Sequence, residues 1–229
     1  MGTIITFKRP DGKEASGYLA NAARGDAPGV VVIQEWWGLQ DQIKGMCDRF
    51  ARAGFDALAP DLYRGVVVPY HDTDAANKQM TSLDFMDATT QSVRGAVQYL
   101  SRNGARVGLT GFCMGGALSL LSSTMVPELD AVVCWYGIPP LDFIDAAKIK
   151  APLLGHFAMK DAFFNIKNVD ALEQKLQQAG VPHEFYRYDA MHAFANETAI
   201  NMPIPIKYDQ PSADLAWQRT LDFLKRVLH

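Results

Sequence analysis

A chain of 229 residues, 48% hydrophobic and 21% charged, is long enough for one substantial core and has the composition of an ordinary globular protein. A net charge of −3 and a pI near 5.9 give no electrostatic case for binding nucleic acid or an anionic membrane, and no apolar run approaches a membrane span. Three cysteines, Cys47, Cys113 and Cys134, are an odd number without framework or zinc spacing. With no basic-then-apolar leader, they predict free thiols, a cytoplasmic location and no metal site.

In chain order, residues 3–8 alternate as a half-exposed strand, residues 10–13 turn, and residues 16–21 return, which predicts an antiparallel hairpin at a sheet edge. Residues 29–34 form a continuous apolar run, the mark of a strand buried on both faces. Helical spacing follows through Leu39, Ile43, Met46, Phe50 and Ala53, closed by Gly54. Residues 55–60 are a short strand. Residues 62–86, with Pro69 and several aspartates, are irregular before a short helix, and residues 87–102 predict a helix with Ala88, Val93, Val97 and Leu100 inward.

Residues 107–121 read as strand, glycine-flanked turn and helix. Residues 130–136, 152–158 and 183–188 predict further strands, and residues 167–179 and 211–227 further helices. This alternation predicts one α/β domain over residues 1–229, with a mostly parallel sheet covered on both faces. Two stretches break the pattern. Residues 62–86 and 195–210, the latter holding Pro203 and Pro205, are long enough to be binding loops or lids at the carboxyl edge of the strands, where open parallel sheets place ligands.

The chemistry centres on Gly111-Phe112-Cys113-Met114-Gly115, a Gly-x-nucleophile-x-Gly turn with cysteine where serine is commoner. A residue at the tip of such a turn is strained, and the flanking glycines let neighbouring chain pass close. The helix after Cys113 points its N-terminus at the sulfur, which favours a thiolate. A thiolate nucleophile needs a base, and the base an orienting acid, in the chain order nucleophile, acid, histidine. His192 lies in the loop past the last strand, whereas His156 and His183 fall in strand patterns and His229 is terminal. Asp161 leaves the preceding strand at the same edge. Asp170 sits inside a helix and Asp189 at a strand end, so Asp161 is preferred. Glu35 ends the apolar strand 29–34 and, buried, needs a partner: the Cys113 thiol or an arginine. The backbone amides of Trp36 and Met114 are the candidate oxyanion donors.

Several segments together resemble the dienelactone hydrolases, the cysteine branch of the α/β-hydrolase superfamily: 34–38 (Gln-Glu-Trp-Trp-Gly), 59–63 (Ala-Pro-Asp-Leu-Tyr), 108–116, 135–137, 160–161, 191–194 and the closing 213–224. The resemblance implies an α/β-hydrolase fold and a triad of Cys113, His192 and Asp161. It implies that Glu35 neighbours the resting thiol and helps to deprotonate it, that the substrate is a small ester or lactone, and that no cofactor is needed. Members of the family hold a substrate carboxylate with two arginines. This chain has Asn196 at one of those positions and only Lys78 near the other, and neither reproduces an arginine fork. Trp37, Lys78 and Asn196 are therefore the candidate substrate-binding residues, and the expected substrate is a neutral or aromatic ester. A thioesterase or acyltransferase with the same triad, or an inactive binding protein on this scaffold, is the alternative. A monomer or weak homodimer is expected.

Overall fold

The computed structural model describes residues 1–229 and contains one eight-stranded sheet. Its strands are β1 (Thr3–Lys8), β2 (Glu14–Ala20), β3 (Gly29–Ile33), β4 (Asp56–Pro60), β5 (Val107–Phe112), β6 (Ala131–Trp135), β7 (Leu153–Ala158) and β8 (His183–Tyr188). They lie in the order β1-β2-β4-β3-β5-β6-β7-β8. β2 pairs antiparallel with both β1 and β4, and every pairing from β4 to β8 is parallel. The edge hairpin and the parallel remainder match the pattern expected from alternation. This is the strand arrangement of an α/β-hydrolase fold.

β3, β5, β6 and β7 are buried along their whole length, because both faces of the sheet are covered. Alternate residues supply the two cores. Val31, Ile33 and Leu109 face one side with Leu118 and Leu172, while Val30, Val32 and Phe112 face the other with Phe50 and Leu224. The first side is covered by α4 (Arg94–Ser101), α5 (Met114–Met125) and α6 (Ile166–Gln178), the second by α1 (Asp41–Arg52) and α7 (Gln210–Leu228). Two short helices, α2 (Thr73–Ser82) and α3 (Phe85–Asp87), precede α4.

Two stretches depart from the expected pattern. The helix expected over 87–102 is interrupted by a π-helical turn at Ala88–Val93 before α4 resumes. Such a turn adds one residue to the hydrogen-bonded ring and shifts the buried stripe by that residue. The connection 195–210 is tied back rather than free. Lys207 N–H donates to His192 C=O at 3.1 Å, and Asp209 N–H to Phe194 C=O at 3.0 Å. No helix is long and apolar enough to cross a membrane.

Candidate active site

Cys113 sits between β5 and α5 with φ 55° and ψ −116°, a region that a side-chain-bearing residue enters only under constraint. The constraint is visible on both sides. A Cβ on Gly111 would stand 2.1 Å from Gly115 C=O, and one on Gly115 would stand 2.5 Å from Ile33 C=O. Only glycine lets the turn close against β3. Cys113 N–H donates to Trp135 C=O at 3.0 Å, and Gly116 and Ala117 N–H donate to Cys113 C=O at 2.9 and 3.1 Å. The tip is therefore held by main chain and the half-buried thiol is left free. Tyr136 and Ala193 also have positive φ, 38° and 59°. Both flank the same site.

His192 and Asp161 meet across the ends of β8 and β7. His192 Nδ1 lies 2.7 Å from Asp161 Oδ2, and both side chains are almost wholly buried. Asp161 Oδ1 accepts from Phe163 and Phe164 N–H at 2.8 and 3.0 Å, which fixes the carboxylate. Tyr136, Phe163 and Phe164 pack around the imidazole. With Nδ1 on Asp161, the other ring nitrogen is left for Cys113. Burial opposes the imidazolium, but the charge of Cys113 and the bonds to Asp161 and Cys113 outweigh it and raise His192 to about 10.

Glu35 is buried at the end of β3. Its partners are neither the thiol nor an arginine. Asn196 Nδ2 donates to Oε2 at 2.7 Å, and the Tyr136 hydroxyl donates to Oε1 at 3.4 Å. Burial raises the Glu35 carboxyl, against the His192 charge and these two donors. No hydrogen bond from the Trp36 or Met114 N–H to a loop or side-chain group is present, and both residues line the same cavity as Cys113.

Glu35, Trp36, Trp37, Cys113, Met114 and His192 line one cavity of about 120 Å³. Met80 of α2 and Ile204 and Ile206 of the 195–210 connection complete it, so both irregular stretches reach the site. Phe163, Phe164 and Tyr136 belong to the site as well. Their position just after β7 and β6, at the carboxyl edge, was the available signal. The structure does not bring Lys78 to the cavity: it is exposed on α2. Asn196 is fully buried and bonded to Glu35, outside the cavity lining. No three His, Cys, Asp or Glu side chains converge to hold a metal ion.

The fold and this edge arrangement define the class as an α/β-hydrolase. The dienelactone hydrolase family model matches residues 15–228, and the chain belongs to that family. Protein usf of Aquifex pyrophilus is 38% identical over 100% of both chains. An Aquifex aeolicus protein provisionally named carboxymethylenebutenolidase is 34% identical over 100% of both. A crystal structure from Klebsiella pneumoniae subsp. pneumoniae, provisionally named a dienelactone hydrolase, superposes with a TM-score of 0.83 at 28% identity, covering 98% of this chain and 99% of its own.

Proposed function

We propose that this chain hydrolyses carboxylic esters or lactones through an acyl-thioenzyme on Cys113, with residues 1–229 acting as one catalytic unit. The observation that carries the reading is the 2.7 Å His192–Asp161 pair on the same cavity as a positive-φ cysteine. The family names of the relatives, dienelactone hydrolase and carboxymethylenebutenolidase, point to the same substrate class.

The Cys113 thiolate attacks the carbonyl carbon, and the carbonyl π electrons move onto oxygen. The open Trp36 and Met114 amides receive that oxyanion, which is the charge that develops in the transition state. Collapse breaks the C–O bond, and the alkoxide takes the proton from His192 Nε2. In a lactone this alkoxide stays on the acyl chain. Neutral His192 then draws a proton from water, hydroxide adds to the thioester, and collapse expels the thiolate beside a restored imidazolium. Asp161 accepts the Nδ1–H throughout and keeps the ring in the working tautomer. Glu35, next to the reacting atoms, biases the charge balance of the Cys113–His192 pair. Trp37 shapes the apolar wall.

Brief mixing of His192→Ala with p-nitrophenyl butyrate, followed by intact mass and peptide mapping, is expected to show one butyryl group on Cys113. An adduct on another residue, or none while wild type turns over, contradicts the acyl-thioenzyme.

A further inference from the structure

Glu35 is the only carboxyl lining the cavity, and no lysine or arginine lines it. Both Glu35 oxygens accept hydrogen bonds, Oε2 from Asn196 at 2.7 Å and Oε1 from Tyr136 at 3.4 Å, and these donors favour the carboxylate against the burial that raises it. Asn196 cannot turn its amide round. Its Oδ1 already accepts from the Thr198 N–H at 3.0 Å and the Thr198 hydroxyl at 2.7 Å, so Nδ2 must face Glu35. His192 Nδ1 already lies 2.7 Å from Asp161 Oδ2, so a charge on that ring is paired within the site. A second carboxylate entering this space would meet Glu35 at close range, with no cation to pair it and with apolar walls that strip its water.

We propose that Glu35, held in place by Asn196 as a positioning residue, makes this cavity reject anionic acyl groups, so that its substrates are esters or lactones with a small, uncharged, apolar acyl part. The proposal rests on the hydrolase reading for the reaction but on the cavity alone for the charge selection. The size limit follows from the volume. At about 120 Å³ the cavity is of the order of the ~150 Å³ apolar cavity that accepts benzene. A short aliphatic chain or a single ring fills it.

The test uses two reagents that differ by one charge and react at the same sulfur. Second-order alkylation rates of Cys113 by iodoacetamide and by iodoacetate are measured by peptide mass, and each is divided by its rate with glutathione. For wild type the corrected amide-to-acid ratio is expected at about tenfold or more. Glu35→Gln, which keeps shape and removes charge, is expected to bring it within about twofold of one. Asn196→Ala, which removes the donor that seats the carboxylate, is expected to lower the ratio too, an effect that a merely structural role would not have. A wild-type ratio near one, or one unchanged in Glu35→Gln, overturns the proposal. A ratio unmoved by Asn196→Ala overturns the positioning role. None of these rates requires turnover. Charge discrimination without ester hydrolysis would sink the hydrolase reading and keep this one; Cys113-dependent hydrolysis with a ratio near one would do the reverse.

Discussion

Cys113 holds a backbone conformation that costs on the order of 1–3 kcal/mol for a side-chain-bearing residue, and the surrounding main-chain bonds overcome that cost. What the strain achieves is placement: the sulfur stands clear of the sheet edge, facing His192. Asp161 does comparable work for the histidine, because Phe163 and Phe164 N–H fix one carboxylate oxygen and leave the other for Nδ1. Asp161→Asn keeps an oxygen for those amides and can present an NH₂ group to the ring, which favours the wrong tautomer. Its kcat for p-nitrophenyl butyrate is expected to fall by about 10²–10⁴ with little change in stability. Wild-type kcat in that variant would remove Asp161 from the account. That Cys113, Asp161 and His192 converge was legible in the sequence because each lies just past a strand on one edge of a parallel sheet. The partner of Glu35 was not. Asn196 is 161 positions away along the chain, and nothing local to either residue marks the bond.

The strand–turn–helix element from β5 to α5 was legible for a different reason. Its glycines are required by close backbone approach, and such positions show in the sequence as glycines at fixed spacing. Gly115→Ala is expected to destabilise the protein by about 2–4 kcal/mol, read as a lower urea midpoint, because its Cβ would stand 2.5 Å from Ile33 C=O and no flexible side chain can yield. An unchanged midpoint would mean that the turn relaxes freely. The π turn at Ala88–Val93 shows the opposite case. A shift of one residue in hydrogen-bond register changes neither composition nor overall helical pattern, so the segment reads as plain helix. The irregular segments were legible as binding loops only in outline. That Met80, Ile204 and Ile206 turn into the cavity depends on tertiary contacts, and so does the exposure of Lys78.

Across the whole molecule, the two central histidines pull stability in opposite directions with pH. His156 is buried, with Nδ1 on the Tyr188 hydroxyl and Nε2 on the Thr220 hydroxyl, both at 2.9 Å. Burial, with the Arg219 charge, lowers it from 6.5 to about 3. Its contribution is therefore fully present above pH 6.5 and is lost as pH falls towards 3. His192 is raised, so its contribution is present below the unfolded value and is lost as pH rises through about 10. Between pH 7.5 and 5.5, His156→Gln is expected to remove a slope of up to about 1.4 kcal/mol per pH unit below ~6.5, measured by urea unfolding of both proteins. Parallel pH curves for wild type and variant would show that His156 is not neutral in the folded state. The two-faced sheet that buries His156 also lines up β3, β5, β6, β7 and β8 so that Glu35, Cys113, Tyr136, Asp161 and His192 share one edge.

If this edge acts as a cysteine-dependent hydrolase, turnover must depend on the Cys113 sulfur, which hydrolysis of p-nitrophenyl acetate and butyrate by wild type and by Cys113→Ala reads. Wild type is expected to turn over both esters and the variant neither above the rate in buffer. Equal turnover by the two proteins would mean that Cys113 is not the nucleophile.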